Sequence, residues 1–448
     1  MGARVHRLLP RIAYYTALAI KNSTLTPHEL QELRDRKVRR LARYCYDYVP
    51  YYRSMFRRVG LTADDVRGTA DLRLIPVTTR SDIIENYPDR IAVRGAKVGS
   101  VQSTSGTTTG TPLKIGLGAR LCDIRVAQSV RRASRMGVRP WEKVATVETR
   151  GSASEGSGVR RKKGRAGIAS QIFVGSFHIA VPTVHQLTLG LGRTNTDDVC
   201  RALVRYEPDI LYSRPSHARR LGRTLRERGT AISPKLVMCN GEFLSDAVRN
   251  DLKDYFGADV YNSYGARELG SVGTECYLHD GLHVNADNYI HEVERDGQAV
   301  GAGELGSVLL TGLENEVTPL MRYEIGDVGI QGETERCGCG SNFPRLQTVL
   351  GRSGDGLLAA DGRMIPPGVI CDELESVLGL RDFQVIQRGA GVIVVRVRDL
   401  NNNSETKRKL GESLGRLLAA PQELEVETWG DADIPAKYRP VMSQLSPR

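Results

Sequence analysis

Long apolar runs are missing from this chain of 448 residues. The apolar stretch near the N-terminus, residues 12–20, follows Pro10 and Arg11 and is far shorter than the ~20 residues that span a bilayer. No A-x-A cleavage signature follows it, which favours a docked N-terminal helix in a cytoplasmic protein over a secretory leader. Cysteine is sparse too. The eight, Cys45, Cys122, Cys200, Cys239, Cys276, Cys337, Cys339 and Cys371, are too few for a disulfide scaffold of this length, so reduced thiols are expected. Internal repeats are absent, and so is the G-x-x-x-x-G-K-[ST] spacing of a Walker loop. At 40% hydrophobic and 26% charged residues, the composition excludes collagen-like and disordered classes.

What the chain has in excess is positive charge, a formal +11. It implies an anionic partner without choosing among nucleic acid, an acidic membrane surface and a phosphate-rich cofactor. The densest cluster is Arg160, Arg161, Lys162, Lys163 and Arg165, in a glycine- and serine-rich stretch. A solvated loop with no partner explains that cluster equally well.

The length predicts more than one domain. Residues 26–59 read as helical, with Leu30, Leu33, Val38, Leu41 and Tyr44 near one face and a capping box from Thr26 to Glu29. Strand-like runs at 91–93, 144–147, 210–212, 236–239 and 260–261 alternate with helical stretches at 197–206, 217–227 and 245–256. That alternation predicts α/β layering around a largely parallel sheet. Beyond Leu282 shorter strands take over, including 291–294 and 307–310. After Gly351 the pattern becomes strand, strand, helix, strand (383–386, 391–398, 404–419, 423–428). This reads as a separate α+β unit of roughly 95 residues. The boundary is placed at the glycine-rich Gly351–Asp355, giving domains 1–350 and 351–448.

The sharpest local signal runs Ser103-Thr104-Ser105-Gly106-Thr107-Thr108-Thr109-Gly110-Thr111-Pro112. Small hydroxyl residues and glycines let backbone N–H groups and hydroxyls close around phosphate oxygens. A Ser/Thr/Gly linker is the plainer alternative. A second constellation pairs Cys276, His279 and His283 with Cys337 and Cys339. Three thiolates and one imidazole make the closed tetrahedral set of a structural zinc, against the alternative of buried thiols.

The loop resembles the phosphate-binding loop of the adenylate-forming superfamily, S-G-T-T-G-x-P, with one threonine more. Further segments resemble that superfamily in the expected order, and the chain is most similar to its phenylacetate–CoA ligase family, in particular the capsular-polysaccharide-biosynthesis-type relatives. The resemblance implies a large N-terminal adenylate-forming domain of layered sheets and helices, with a small mobile C-terminal domain. It implies that Ser105, Gly106, Thr107, Thr108, Thr109 and Gly110 hold phosphate, and that Gly241 and Glu242 border the adenine. Tyr264-Gly265-Ala266-Arg267-Glu268 resembles Y-G-x-T-E, whose tyrosine stacks on adenine and whose glutamate binds magnesium; Arg267 replaces the threonine. Asp327, in R-Y-x-x-G-D, would accept both ribose hydroxyls, and Arg352 would reach the nucleotide. Gly354 stands where a hinge aspartate is common. Lys437 matches the lysine that bridges the attacking carboxylate and the α-phosphate. Taken singly, Glu268 reads as an exposed helix-start residue, Gly326-Asp327 as a plain turn and Lys437 as an exposed terminal lysine. The family also selects His283 over His279 as the zinc-binding imidazole, with Cys276, Cys337 and Cys339.

The implied activity is ATP- and Mg2+-dependent formation of an acyl-adenylate, followed by transfer to CoA. Transfer to an amine, a sugar hydroxyl or a carrier thiol is the alternative. A non-catalytic nucleic-acid-binding protein would explain the charge but not the ordered motifs, so no stable nucleic-acid partner is expected. A monomer and a homodimer both stay open. The acyl pocket is expected near residues 171–184, where Phe173 and Phe177 read equally well as packing residues, with His178 beside them. The Arg160–Arg165 cluster could meet CoA phosphates or an acidic acyl donor.

Overall fold

The computed structural model describes residues 2–103, 112–149, 160–161, 185–192, 195–380, 382–389, 391–398, 404–428 and 438–445. The helices are α1 (Gly2–Asn22), α2 (Pro27–Tyr48), α3 (Pro50–Arg58), α4 (Arg80–Asn86), α5 (Ala119–Arg135), α6 (Thr196–Tyr206), α7 (Pro215–Glu227), α8 (Asp246–Phe256), α9 (Pro367–Leu378) and α10 (Ser404–Leu417).

The predicted helix over 26–59 is two helices. Its start is as expected, with Glu29 Oε2 accepting from Thr26 N at 2.8 Å and Thr26 Oγ1 accepting from Glu29 N at 3.3 Å. Pro50 breaks it, because a proline forces the preceding residue out of the helical region. Val49 is extended (φ −117°, ψ 102°), and Pro50 opens α3 at its first position. The stretch 91–93 is not a strand but turn and bend; Ile91 is apolar because it fills the core.

The strands are β1 (Val98–Ser103), β2 (Lys114–Gly118), β3 (Lys143–Thr149), β4 (Arg160–Arg161), β5 (His185–Leu191), β6 (Ile210–Ser213), β7 (Leu236–Asn240), β8 (Asp259–Ala266), β9 (Gly270–Glu275), β10 (Leu282–Val284), β11 (Tyr289–Arg295), β12 (Gln298–Ala299), β13 (Leu305–Gly312), β14 (Leu320–Gln331) and β15 (Arg345–Arg352). Beyond them come β16 (Leu357–Leu358), β17 (Met364–Ile365), β18 (Phe383–Gly389), β19 (Val392–Val397), β20 (Glu423–Thr428) and β21 (Val441–Ser443). Thirteen described strands form one sheet in the order β12-β11-β13-β14-β15-β10-β9-β8-β7-β6-β3-β5-β4. Parallel pairing is confined to β8–β7, β7–β6, β6–β3 and β3–β5. The sheet is therefore mixed rather than largely parallel. Between β6 and β8 the crossovers carry helices, as parallel neighbours require, whereas from β8 onward short reversals produce antiparallel pairs.

Both faces of the parallel segment are covered. Leu203, Leu221 and Leu252 of α6, α7 and α8 pack with Leu211, Val237 and Val260 on one face. On the other, Ala133 of α5 packs with Tyr212, Met238 and Tyr261. α1 is docked on α5 through an Arg11–Asp123 ion pair and an Arg131 Nη1 to Ala19 O hydrogen bond of 3.0 Å. The largest core joins Val38, Tyr52 and Phe56 to Leu310 and Tyr323. A distinct core of Leu357, Ile370, Phe383, Val395, Leu414 and Val441 belongs to the four-stranded sheet β20-β19-β18-β21 with α9 and α10. Among the described residues no helix is long and apolar enough to cross a membrane.

Candidate active site

The antiparallel turn from β8 to β9 is unusually tight, and it presents Glu268. Gly265 lies opposite Ser271, and a Cβ on Gly265 would stand 2.3 Å from the carbonyl oxygen of Gly270, so only glycine fits. Glu268 therefore sits in a buried hairpin turn, not at an exposed helix start. Its carboxylate lies 3.8 Å from Arg80 Nη1, and its main-chain carbonyl accepts from Arg125 Nη2 at 3.0 Å. The preceding Arg267 donates to Ser103 O at 3.2 Å. Ser103 ends β1, and its register partner Lys114 begins β2. The residues expected to hold phosphate, Ser105 to Gly110, lie outside the described residues. The strand ends that bracket them reach the Glu268 turn.

Tyr264, three residues into the same strand end, donates its hydroxyl to Asp327 Oδ2 at 2.7 Å. Arg352 is the cross-strand partner of Asp327, with Nε 3.5 Å from Oδ1. Burial pushes the Asp327 carboxyl above its ordinary pKa, against the pull of Arg352 and the Tyr264 hydroxyl. Burial and the neighbouring Asp327 carboxylate drive the Tyr264 phenol well above its usual range. Burial also pulls on Arg352, but Asp327 and Glu268 override it and raise its pKa. The three strands thus join one tyrosine, two carboxylates and one arginine.

Gly241 follows β7 in the left-handed region (φ +73°). Glu242 beside it turns to the start of α7, accepting from Arg214 Nη1 at 3.3 Å and from Ser216 N at 3.1 Å. A carboxylate is favoured at that positive helix end. Lys437, Phe173, Phe177 and His178 lie outside the described residues, as do the side chains of the Arg160–Arg165 cluster. Arg80 and Arg125 escaped the sequence reading, since no motif marks an arginine whose partner is distant in the chain, and Arg214, within the family-like segment Tyr212-Ser213-Arg214-Pro215-Ser216, was given no role by it.

The cysteine constellation assembles about 60 residues apart in sequence. Ligand atoms of Cys276, His283, Cys337 and Cys339 all lie within 4.8 Å of one another. Cys276 Sγ and Cys337 Sγ are 3.9 Å apart, and Cys339 Sγ is 3.5 Å from His283 Nε2. Zinc–sulfur bonds of ~2.3 Å at the tetrahedral angle would separate two sulfurs by about 3.8 Å, whereas a disulfide would need ~2.05 Å. His283 Nδ1 faces the carbonyl of Phe343 at 3.2 Å. With the proton on Nδ1, the Nε2 lone pair points at the thiols. Gly340, at φ +87°, lets its N–H close back on Cys337 O at 2.8 Å. His279 points elsewhere, held by Glu275 at 3.1 Å and Asp259 at 3.1 Å.

No family model matches the chain. The phenylacetate–coenzyme A ligase of Thermus thermophilus is 27% identical over 381 residues, covering 83% of this chain and 81% of the relative. The ligase of the same name from Escherichia coli is 27% identical over 356 residues, 77% and 76% of the two chains. The chain is related to the phenylacetate–coenzyme A ligases. A shorter match, 26% over 129 residues, joins 28% of the chain to 27% of the protein CapK of Staphylococcus aureus. Among solved structures, 2-hydroxyisobutyryl-CoA ligase in the postadenylation state with 2-HIB-AMP superimposes with a TM-score of 0.78 at 19% identity, over 95% of this chain and 91% of the other. The same ligase in the thioesterification state gives 0.65, over 94% and 91%. The fold is that of the adenylate-forming CoA ligases.

Proposed function

We propose that the chain activates a small carboxylic acid with ATP, forming an acyl-adenylate and pyrophosphate, and then passes the acyl group to the thiol of CoA. The observation that carries this reading is the meeting of Tyr264, Asp327, Arg352 and Glu268 at the ends of three strands, beside the base of the Ser105–Gly110 loop.

Each group has work suited to its chemistry. The Tyr264 ring offers adenine a flat face. The Asp327 carboxylate, kept ionised by Arg352, accepts the ribose hydroxyls and fixes the sugar. Glu268 would hold the Mg2+ that accompanies the triphosphate, an ion that would supply charge neutralisation there. Lys437 stabilises charge on the attacking carboxylate and the α-phosphate. The carboxylate oxygen attacks the α-phosphorus, and the bond to pyrophosphate breaks. The CoA sulfur then attacks the acyl carbon and AMP departs. Cys276, His283, Cys337 and Cys339 hold a structural zinc; the closed set of four leaves no position for substrate.

We place the domain boundary at Gly351–Asp355, with residues 1–350 binding nucleotide and acid and 351–448 carrying Lys437. The chain superimposes better on the postadenylation than on the thioesterification structure of 2-hydroxyisobutyryl-CoA ligase, and the C-terminal unit is proposed to change orientation between the two steps. The reaction belongs in the cytoplasm, where ATP and CoA are available. A different acceptor, such as an amine, a sugar hydroxyl or a carrier thiol, is the second reading.

The test is ATP-dependent pyrophosphate release across aryl and alkyl acids, each with and without CoA, with Lys437→Ala as the control. Release that depends on one acid, is lost in the variant and yields a thioester supports the proposal. Release without thioester transfers it to the second reading, and no release despite ATP binding refutes adenylation of those acids.

A further inference from the structure

A cavity of about 140 Å³ lies between the C-terminal half of α5 and strands β8, β9 and β10, bordering the Cys/His cluster. It does not open beside Tyr264. Tyr261, which lines it, is three residues before Tyr264 on β8, and an odd separation puts the two rings on opposite faces. The nucleotide site therefore does not account for this space, and the Cys/His cluster, of which Cys276, His283 and Cys339 form one side of it, accounts only for that side.

Its lining is polar in a specific way. Gln128 is 3% exposed, and neither its Nε2 nor its Oε1 has a hydrogen-bond partner among the described residues. A buried amide with both ends unpaired costs free energy that a bound polar group would recover. Along the same helix, Arg132 and Arg135 also line the cavity, and Arg132 Nη1 donates to Ser271 Oγ at 3.0 Å. The acidic group at the wall, Glu275, is already held by Arg249 at 2.6 Å, and Arg131 is held by Asp287 at 2.8 Å. Two guanidinium groups, an amide and the Ser271 hydroxyl thus line a mixed space, with Met136, Tyr261 and Phe343 as its apolar patches and Thr274, Asn285 and the Cys/His cluster completing the wall.

We propose that this cavity binds a compact carboxylate, its oxygens received by Arg132, Gln128 and Ser271 and its apolar body by Tyr261 and Met136. Guanidinium matches a carboxylate in a planar, two-point arrangement, and the amide N–H supplies a further donor. The acid is a free one, separate from the acid being activated, because the cavity faces away from Tyr264 across β8.

The test is calorimetric titration of the full chain with phenylacetate, benzoate, succinate and glutarate, for the wild type, Gln128→Leu and Arg132→Met. At least one acid binds the wild type, and each substitution weakens it by tenfold or more while zinc content is unchanged. Repeating the titration with a non-hydrolysable acyl-adenylate analogue of the bound acid already in place separates this cavity from the acyl site. Binding of a further equivalent supports the proposal, and blocked binding overturns it. No binding of any acid, or equal binding by both variants, overturns the proposal. Without ligand, Gln128→Leu melts no lower than the wild type, because it removes an unpaired buried amide; a large drop would mean that the amide is a structural group and would equally overturn it.

Discussion

Replacing Tyr264 by phenylalanine keeps the ring and deletes one hydroxyl, which isolates the role of the contact to Asp327. That hydroxyl donates at 2.7 Å, while Arg352 holds the other carboxylate oxygen at 3.5 Å. A hydrogen bond to a charged group contributes about 1.5–3 kcal/mol, and about 1.4 kcal/mol corresponds to one pKa unit. Because the Arg352 contact remains, the lower end applies, and losing the hydroxyl weakens the ionised form by about 1.5 kcal/mol, so the Asp327 pKa rises further above its ordinary value than burial has already raised it. The ionised form is the one proposed to accept the ribose hydroxyls. The acid limb of kcat/KM for ATP therefore moves to higher pH, and activity recovers on the alkaline side. Stability follows the same sign. A carboxyl with a folded pKa above its unfolded one gains stability as pH falls through the folded value and loses it as pH rises, so the variant is most destabilised at high pH. Pyrophosphate release measured from about pH 5 to pH 8 reads the shift. A loss of equal size at every pH, with the acid limb unmoved, would refute the reasoning.

Glu268→Gln keeps the shape of the hairpin turn and removes its charge, so pyrophosphate release falls about 10²–10³-fold and the magnesium concentration for half-maximal rate rises; an unchanged magnesium response would remove Glu268 from that role. Cys337→Ser loses about one equivalent of zinc by elemental analysis and lowers Tm, whereas His279→Ala retains the metal; the reverse pattern would reassign the imidazole. Arg219 meets Asp251 at 3.4 Å, Glu375 at 3.6 Å and Asp382 at 3.8 Å, and Ser245 also bonds Glu375, so these contacts join α7 and α8 to the C-terminal unit. Glu375→Gln weakens them and slows adenylation several-fold relative to thioester formation from a supplied acyl-adenylate; equal slowing of both half-reactions would dismiss them as an orienting contact.

Much of the site was legible because its residues sit in short segments whose spacing is local. Tyr264, Gly265 and Glu268 fall within one hairpin, and the two cysteines Cys337 and Cys339 within one knuckle. The resemblance had already favoured His283 over His279, and the side chains supply a physical reason: both lie close to Cys276 in sequence, but Asp259 and Glu275 claim His279. The parallel segment of the sheet announced itself through helices between strands. The antiparallel remainder was read only as shorter strands with turns, because a short apolar run reads alike whether its neighbour arrives by a crossover or by a hairpin. Ile91 shows the same ambiguity, being apolar for burial rather than for pairing. Gln128 was invisible, since one polar residue on a mostly buried helix carries no periodic signal.

The surplus of positive charge takes on a different meaning once the side chains are placed. Its simplest reading was an external polyanion. Yet single buried acids gather several cations inside the fold: Glu314 is met by Lys37 at 2.5 Å, Arg40 at 3.3 Å and Arg120 at 2.5 Å. Asp382 is likewise surrounded by Arg219, Arg223 and Arg398. The Glu314 cluster, with Glu316 also on Arg120, holds more basic than acidic groups, so part of the excess is consumed in fastening helices to the sheet. Among the arginines around Asp382, Arg219 also serves Asp251 and Glu375 and fastens the C-terminal unit. Charges fixed in this way cannot release counterions from a nucleic acid, which is what a steep salt dependence of binding requires. Arginine suits the task, because its planar fork can serve two or three oxygens at once while a lysine offers a point charge. The basic composition is in part a property of how this fold is held together, and the nucleotide-binding reading stands on Tyr264, Asp327, Arg352 and Glu268 without it.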